Sequence, residues 1–310
     1  MTTQPLVSIL INNYNYDKYL KRAIDSALNQ TYNPIEVIVV DDGSADNSRQ
    51  IIESYGTQIK AILKSNGGQA SAFNVGFQES NGEIICFLDS DDTFSPTKIE
   101  KIVDIFCQNP TIDWCFHPLE FVRVDSEDRV PLENHSAQKT PDYSGCYDLR
   151  PWMAKGKLSG HLPLEGTATS GIAFRRSLLN KILPMPEEIR ITSDDYIKYI
   201  ALGISEGFIS SEALAQQLIH GNNAYTLRTD KQLLRVKIQL QTAYWMRKNF
   251  TELTEFSNSI FVSAKKILKN IDSSEINTEI KALERQYLNL TTWLERSQIN
   301  MRLLYRRVRP

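Results

Sequence analysis

Three acids within four residues stand directly behind a short apolar run: Ile84-Ile85-Cys86-Phe87-Leu88 is followed at once by Asp89-Ser90-Asp91-Asp92. Such a run is too short for a free-standing helix and has the length of a buried strand. In open α/β sheets, ligands bind just beyond the carboxyl ends of strands. Carboxylates crowded there repel one another unless a cation compensates them, and an all-oxygen ligand set suits Mg²⁺ or Mn²⁺. The competing reading makes Asp92 or Ser95 the N-cap of the next helix, with Pro96 at its first position. It accounts for Ser95-Pro96 but gives Asp89 and Asp91 nothing to do.

Other strands deliver polar residues in the same way. Ile35-Glu36-Val37-Ile38-Val39-Val40 ends in Asp41-Asp42-Gly43-Ser44, and the strand over residues 6–11 ends in Asn12-Asn13-Tyr14-Asn15. Between them, Lys64-Ser65-Asn66-Gly67-Gly68-Gln69-Ala70 turns into a helix that carries Asn74 and Gly76. Singly, Asp42-Gly43 and Asn66-Gly67-Gly68 are ordinary turn chemistry. Together and in this order they converge on one sheet edge.

The ordered set Val7-Ser8-Ile9-Leu10-Ile11-Asn12-Asn13-Tyr14-Asn15, Val39-Val40-Asp41-Asp42-Gly43-Ser44, Asn66-Gly67-Gly68-Gln69-Ala70 with Asn74 and Gly76, and Phe87-Leu88-Asp89-Ser90-Asp91-Asp92 resembles inverting glycosyltransferase family 2. The resemblance is dense over residues 5–110, thinner to about 222, and absent beyond. One departure is Phe73, where many relatives carry Arg before the matching Asn.

The resemblance implies a GT-A fold, a Rossmann-like nucleotide-binding mixed sheet flanked by helices. It also implies a nucleotide-diphosphate sugar donor, most often a UDP-sugar. It places Asn13, Tyr14, Asn15, Asp42, Asn66, Gly67, Gln69, Asn74, Asp89 and Ser90 around that donor, with Asp42 on the base ring and Asp89 near the ribose. Asp91, with Asp89, would hold the Mg²⁺ or Mn²⁺. His220 would approach the diphosphate or the metal, although a lone His is more often a hydrogen-bonded structural residue than a ligand.

Thr192-Ser193-Asp194-Asp195 opens a short helix closed by Gly203. Read alone, Ser193 or Asp194 is an N-cap and the acids suit a first turn. The resemblance assigns Asp195 as the base that takes the acceptor proton, with Asp194 beside it. A like charge nearby raises a carboxylate's pKa and makes it a better base.

Strands and helices alternate to residue 110, as βαβ units do. Leu20, Ile24, Ala27 and Leu28 form one helical stripe, and Ile99, Ile102, Val103 and Phe106 another. Residues 114–124 read as one long strand and residues 125–150, polar with scattered Pro and Gly, as a loop or irregular insertion. The glycine-bearing stretch over 156–171 is placed beside an acceptor cleft.

From Arg228 onward the pattern is helical, which divides the chain into a GT-A domain (1–225) and a C-terminal helical region (226–310). Ile276, Ile280, Leu283, Tyr287, Leu290 and Leu294 alternate steps of four and three, and Met301, Leu304 and Val308 resume after a break at Ser297. That is an a/d seam, with a capping-box start at Asp272 and Glu275. It needs a partner, either residues 228–270 or another subunit in a homo-oligomer. Arg296, Arg302, Arg306, Arg307 and Arg309 follow with no acid after Glu295. They form a solvated face, or a surface for anionic headgroups at about 1 kcal/mol per residue.

A net charge of -2 gives no electrostatic footprint for nucleic acid. Cys86, Cys107, Cys115 and Cys146 form no CxxC pair and are expected to be buried, reduced thiols. No signal-peptide pattern and no membrane-length apolar run occurs, so the expected location is cytoplasmic, with peripheral attachment at the inner membrane face as the arginine reading.

The expected function is metal-dependent, inverting sugar transfer to the hydroxyl of a glycan or lipid-linked acceptor, in cell-surface polysaccharide or glycan biosynthesis. A sugar nucleotidyltransferase would be expected to carry a Gly-rich, Lys/Arg-bearing loop where this chain has Asn12-Asn13-Tyr14-Asn15. A catalytically silent binding module would tolerate loss of Asp91 or Asp195, and both are present.

Overall fold

The computed structural model describes residues 4–125, 128–131, 144–158, 167–221, 223, 231–272 and 277–305. In chain order the first third runs β1 (Val7–Asn13), α1 (Asp17–Leu28), β2 (Ile35–Asp41), α2 (Ser48–Ser54), β3 (Lys60–Leu63), α3 (Gln69–Gln78), β4 (Ile84–Asp89), β5 (Thr93–Phe94) and α4 (Lys98–Gln108). There follow β6 (Trp114–Phe116), β7 (Glu120–Asp125), β8 (Asp128–Pro131), β9 (Gly145–Tyr147), α5 (Arg150–Met153), β10 (Ile172–Arg175), α6 (Arg176–Ile182), α7 (Ser193–Ile204), β11 (Gly207–Ile209) and β12 (Ala215–Ile219). Four helices complete it: α8 (Lys231–Asn249), α9 (Thr254–Leu268), α10 (Thr278–Asn289) and α11 (Trp293–Tyr305).

A mixed sheet has the order β3-β2-β1-β4-β10-β6-β11-β9, and a smaller sheet the order β5-β12-β7-β8. β1 lies parallel between β2 and β4, with Asn12 opposite Asp89 and Asn13 opposite Asp41. This register brings the polar ends of all three strands to one edge. The strands are apolar almost throughout because helices cover both faces, as buried parallel sheets require. Alternate side chains go to opposite sides. Leu10, Ile38, Val40, Ile85 and Phe87 pack in one core with Phe73, Leu179 and Ile197. Val7, Ile9, Ile11, Val39 and Leu88 pack in the other with Leu20, Ile24, Ile99 and Phe106. Phe73, the departure from the family pattern, is therefore a core residue.

Several expectations are corrected. Residues 114–124 form two strands in different sheets: β6 pairs with β10 and β11, whereas β7 pairs with β12 and β8. Between them lies His117-Pro118-Leu119, and Pro118 has no N–H to give a ladder. The 125–150 stretch contains β8 and β9 rather than loop alone. Cys107 and Cys146 are exposed; only Cys86 and Cys115 are buried.

The C-terminal seam is two helices, broken at residues 290–292. The helix start is Asn277, whose side chain accepts the Ile280 N–H at 3.0 Å, rather than Asp272. Docking onto α8 and α9 uses Ile280, Tyr287 and Ile299, all buried. Tyr287 stacks on Phe261 at 4.3 Å and donates to Asn258 Oδ1. Arg247 donates to Asn258, to the Leu290 carbonyl and to Glu295, closing the helix junction. Leu290, Leu294, Met301 and Leu304 face solvent. Ile276, Glu275, Val308, Arg306, Arg307 and Arg309, and residues 159–166 of the stretch placed beside the acceptor cleft, lie outside the described residues. Among the described residues no helix is long and apolar enough to cross a membrane.

Candidate active site

β4 stops at Asp89, and the Asp92 N–H returns to the Asp89 carbonyl at 3.0 Å, forming a turn. Carboxylate oxygens of Asp89, Asp91 and Asp92 then lie within 4.8 Å of one another. Ser90, at the turn, is buried. The three acids have different surroundings. Asp92 accepts the Leu218 N–H on Oδ1 at 3.2 Å and the Ser170 hydroxyl on Oδ2 at 2.6 Å. It fastens the turn to β12 and to the 167–171 segment. Burial, then the charges of Asp91 and Asp89, raises its carboxyl well above the usual range.

Asp91 receives His220 Nε2 at 3.2 Å and Asn223 Nδ2 at 3.0 Å, both on Oδ2. His220 stacks on Tyr19 with ring centroids 4.2 Å apart and meets Tyr16 edge-on at 5.8 Å. Asn223 Oδ1 accepts the His220 N–H, so a short local loop holds both residues. His220 is thus brought to Asp91.

Asp89 accepts Asn12 Nδ2 at 3.3 Å and Gln69 Nε2 at 3.4 Å, while its own N–H donates to Ser170 Oγ. Burial, followed by the charges of Asp91 and Asp194, pushes its carboxyl up to about 7. These donors are neutral and place no positive charge beside Asp89. The residues fit a hard divalent cation: Asp89 and Asp91 would hold it, with Asp92 already committed on both oxygens.

At the end of β2, Asp42 is buried and accepts Lys64 Nζ at 2.6 Å, Gly67 N at 2.8 Å and Gly68 N at 2.7 Å. It clamps the loop that carries Asn66. Gly68 has φ 92°, and a Cβ there would sit 2.9 Å from Arg190, so the loop requires glycine. Asn66 accepts from the Arg190 guanidinium.

Asn13 is buried and donates to Asp41 Oδ1 and Ser44 Oγ. Asn15 has φ 59°, a conformation Asn tolerates, and its Oδ1 accepts the Ala45 N–H. Tyr14 between them is exposed. Asn74 bonds the Met185 backbone in both directions at 2.8 Å and so fastens α3 to the segment after α6. In this structure Asn13 and Asn74 are occupied as fasteners.

The second acidic group opens α7. Gln69 Oε1 accepts the Ser193 N–H at 2.9 Å, so one amide joins this helix start to Asp89. Asp194 has a side chain 10% exposed and Asp195 36%; buried Lys198 lies 2.9 Å and 3.0 Å from them. Burial raises the Asp194 carboxyl, with Lys198 opposing and Asp195 adding to the rise.

Sequence reasoning misses Tyr19, Ser170, Lys198 and Asn223, and takes Asn12 only as part of a polar strand end. Lys198 had a signal, its three- and four-residue spacing from the acids. Ser170, 78 residues from its partner Asp92, had none.

A mixed sheet flanked by helices, with paired acids at the end of a central strand, defines a GT-A protein. The chain belongs to glycosyltransferase family 2: the family model "Glycosyl transferase family 2" matches residues 8–183. It is 38% identical over 222 residues to an uncharacterized glycosyltransferase of Nostoc sp., covering 70% of this chain and 66% of that one. It is 44% identical over 230 residues to one of Rickettsia typhi, covering 71% and 65%. The chain thus spans just under two thirds of these relatives. S. aureus TarS 1-349 in complex with UDP superposes with TM-score 0.63 at 17% identity, over 97% of this chain and 86% of that one. The mannosyltransferase PcManGT of Pyrobaculum calidifontis, in complex with GDP-Man and Mn²⁺, gives TM-score 0.51 at 16% identity, over 97% and 85%. At such identities the likeness is one of fold.

Proposed function

We propose that this chain transfers a sugar from a nucleotide-diphosphate sugar to an acceptor hydroxyl, with inversion and with Mg²⁺ or Mn²⁺ as cofactor. The observation that carries the reading is the pairing of a strand-end acid group, Asp89 and Asp91, with a second acid pair, Asp194 and Asp195, across the single side chain of Gln69. One group suits a metal-bound diphosphate and the other a proton acceptor.

A cation held by Asp89 and Asp91 would stabilise the extra negative charge on the departing diphosphate. Asp195, more exposed than Asp194, takes the acceptor's hydroxyl proton as that oxygen attacks the anomeric carbon. Single displacement inverts the centre without a covalent nucleophile. UDP is the favoured nucleotide because TarS has been solved with UDP and with UDP-GlcNAc. The acceptor is proposed to be a glycan or lipid-linked sugar of a cell-surface polysaccharide. The enzyme would work in the cytoplasm, with residues 1–225 as catalytic domain and 226–310 as a helical region facing the membrane.

Thermal shift with a panel of nucleotide sugars, with and without Mn²⁺, tests this directly, since a bound donor raises apparent stability by mass action. The expected result is a stability increase with a UDP-sugar that requires Mn²⁺, accompanied by slow UDP release. An unchanged melting temperature across UDP- and GDP-sugars would overturn the donor assignment.

A further inference from the structure

α7 is buried on most of its circumference, Ile197, Ile200 and Ala201 fully so, and Lys198 within it is itself only 7% exposed. An apolar side chain would serve packing there, and a buried charge is costly unless paired. Its ammonium meets three oxygens: Asp194 Oδ2 at 2.9 Å, Asp195 Oδ1 at 3.0 Å and the Thr167 carbonyl. The segment that supplies Thr167 continues to Thr169, which bonds Asp89, and to Ser170, which receives the Asp89 N–H and donates to Asp92. One lysine therefore connects the α7 acids to the segment that braces the strand-end acids.

We propose that Lys198 is a positioning residue for the proton acceptor: it pairs with Asp195, aims it from the first turn of α7, and holds that turn in register with the strand-end acids. The inference rests on the reading of Asp195 as base. A cation at ion-pair distance favours the carboxylate form. Its neighbours divide as follows. Asp194, Lys198 and Tyr199 face Asp195 from α7 itself, Asp89 of β4 acts on Asp194, and Arg235 of α8 acts on Tyr199. Among the described residues, Lys198 is the cation in contact with both acids.

In the step it supports, the acceptor O–H bond breaks and its proton passes to Asp195. The acceptor oxygen bonds the anomeric carbon, and the bond to the diphosphate oxygen breaks with its electron pair leaving on the nucleotide. Lys198 exchanges no proton. Asp195 ends neutral, and Lys198 remains charged against Asp194.

The test compares the intact protein with Lys198→Gln and Lys198→Arg. The substrate is whichever of UDP-GlcNAc, UDP-glucose and UDP-galactose is hydrolysed fastest with Mn²⁺, water serving as acceptor. In Lys198→Gln, kcat should fall about tenfold and the acid limb of its pH profile should move up by about one unit, the size expected for loss of an adjacent opposite charge. KM for the donor should stay within about twofold, and Lys198→Arg should return the limb towards its original position. Carboxyl ¹³C NMR gives a readout without substrate. The Asp195 resonance, assigned by its loss in Asp195→Asn, should titrate at higher pH in Lys198→Gln.

Should Lys198→Gln fail to fold, Asp194→Asn/Lys198→Gln is compared with Asp194→Asn, and the Asp195 titration should again lie higher in the double variant. An unmoved titration and acid limb, with Asp195→Asn inactive, overturns the role of Lys198 alone. Full turnover in Asp195→Asn overturns the base reading and this inference together.

Discussion

Gln69 donates from Nε2 to Asp89 Oδ1 at 3.4 Å, and the same amide accepts the Ser193 N–H through Oε1 at 2.9 Å. A residue at the start of α3 thereby spaces the end of β4 from the start of α7. The acids at the two ends belong to different parts of the proposed reaction, and one side chain held at both ends helps to set their separation.

Asp91→Ala should abolish sugar transfer and the Mn²⁺-dependent part of donor binding while the protein stays folded. Among the described residues its carboxylate is held by His220 and Asn223 on Oδ2, and its removal relieves repulsion with Asp89. The measurement is UDP release together with donor-induced thermal shift, with and without Mn²⁺. Normal transfer by this variant, or by the intact enzyme in excess chelator, would remove the metal from the mechanism.

Asp195→Asn preserves shape at the first turn of α7 but cannot accept a proton. Turnover should drop about 10²-fold or more, the usual range for a general base, with donor affinity nearly unchanged. Steady-state kinetics separate the two effects. A proportional rise in KM with constant kcat would point to a binding role instead.

Lys98 should make stability rise with pH. It is fully buried, donates to the Ser170 carbonyl at 2.6 Å and lies 3.5 Å from the centre of the Phe94 ring. Burial pulls its ammonium down to about 7, against opposing contributions from Cys86, Cys115 and Asp92. Below that value both folded and unfolded chains carry the proton. Between there and the ordinary lysine value near 10.4, only the unfolded chain does. Stability should therefore climb through this window, by at most about 1.4 kcal/mol per pH unit for one proton. Denaturant unfolding of the intact protein and of Lys98→Met from pH 6.5 to 9 isolates the contribution, because the buried thiols Cys86 and Cys115 are common to both. A stability difference independent of pH would mean that Lys98 stays charged in the fold.

The outer face of α11 should attach to anionic membrane. Trp293, Leu294, Met301 and Leu304 are 76%, 55%, 57% and 59% exposed, and they fall within about 100° of arc at 3.6 residues per turn. Ile299 on the other side is buried. An apolar stripe along one side suits an interfacial helix; of the arginines beside it, Arg302 pairs with Glu255 and Arg296 donates to Thr291 and the Leu288 carbonyl. Replacing Trp293 and Leu304 with Ser should reduce co-sedimentation with phosphatidylserine-containing vesicles, most visibly at low salt. If the unmodified protein ignores such vesicles at low ionic strength, the membrane attachment is wrong.

The order of strand-end motifs was legible in the chain because each motif is local. A buried strand followed by Asp89-Ser90-Asp91-Asp92, or by Asp41-Asp42-Gly43-Ser44, shows its chemistry within ten residues, and the parallel register of β1 with β2 and β4 then brings those ends together. The helical stripes of Leu20, Ile24, Ala27 and Leu28 and of Ile99, Ile102, Val103 and Phe106 were equally legible from period alone; all are buried except Leu28, which packs partly buried at the edge of the same core.

Tertiary structure decided what each acid does. Asp92 is tied to Ser170 and Leu218, 78 and 126 residues away, and so becomes a fastener while Asp91 faces His220. Asp42 closes on the amides of Gly67 and Gly68, and the chain after Phe116 leaves one sheet for another. The C-terminal seam splits where Arg247 and Asn258 meet Tyr287 and the Leu290 carbonyl. Periodicity reports which face of an element is apolar. Buried polar groups must instead find partners wherever packing supplies them, and those partners are set by contacts between segments far apart in the chain.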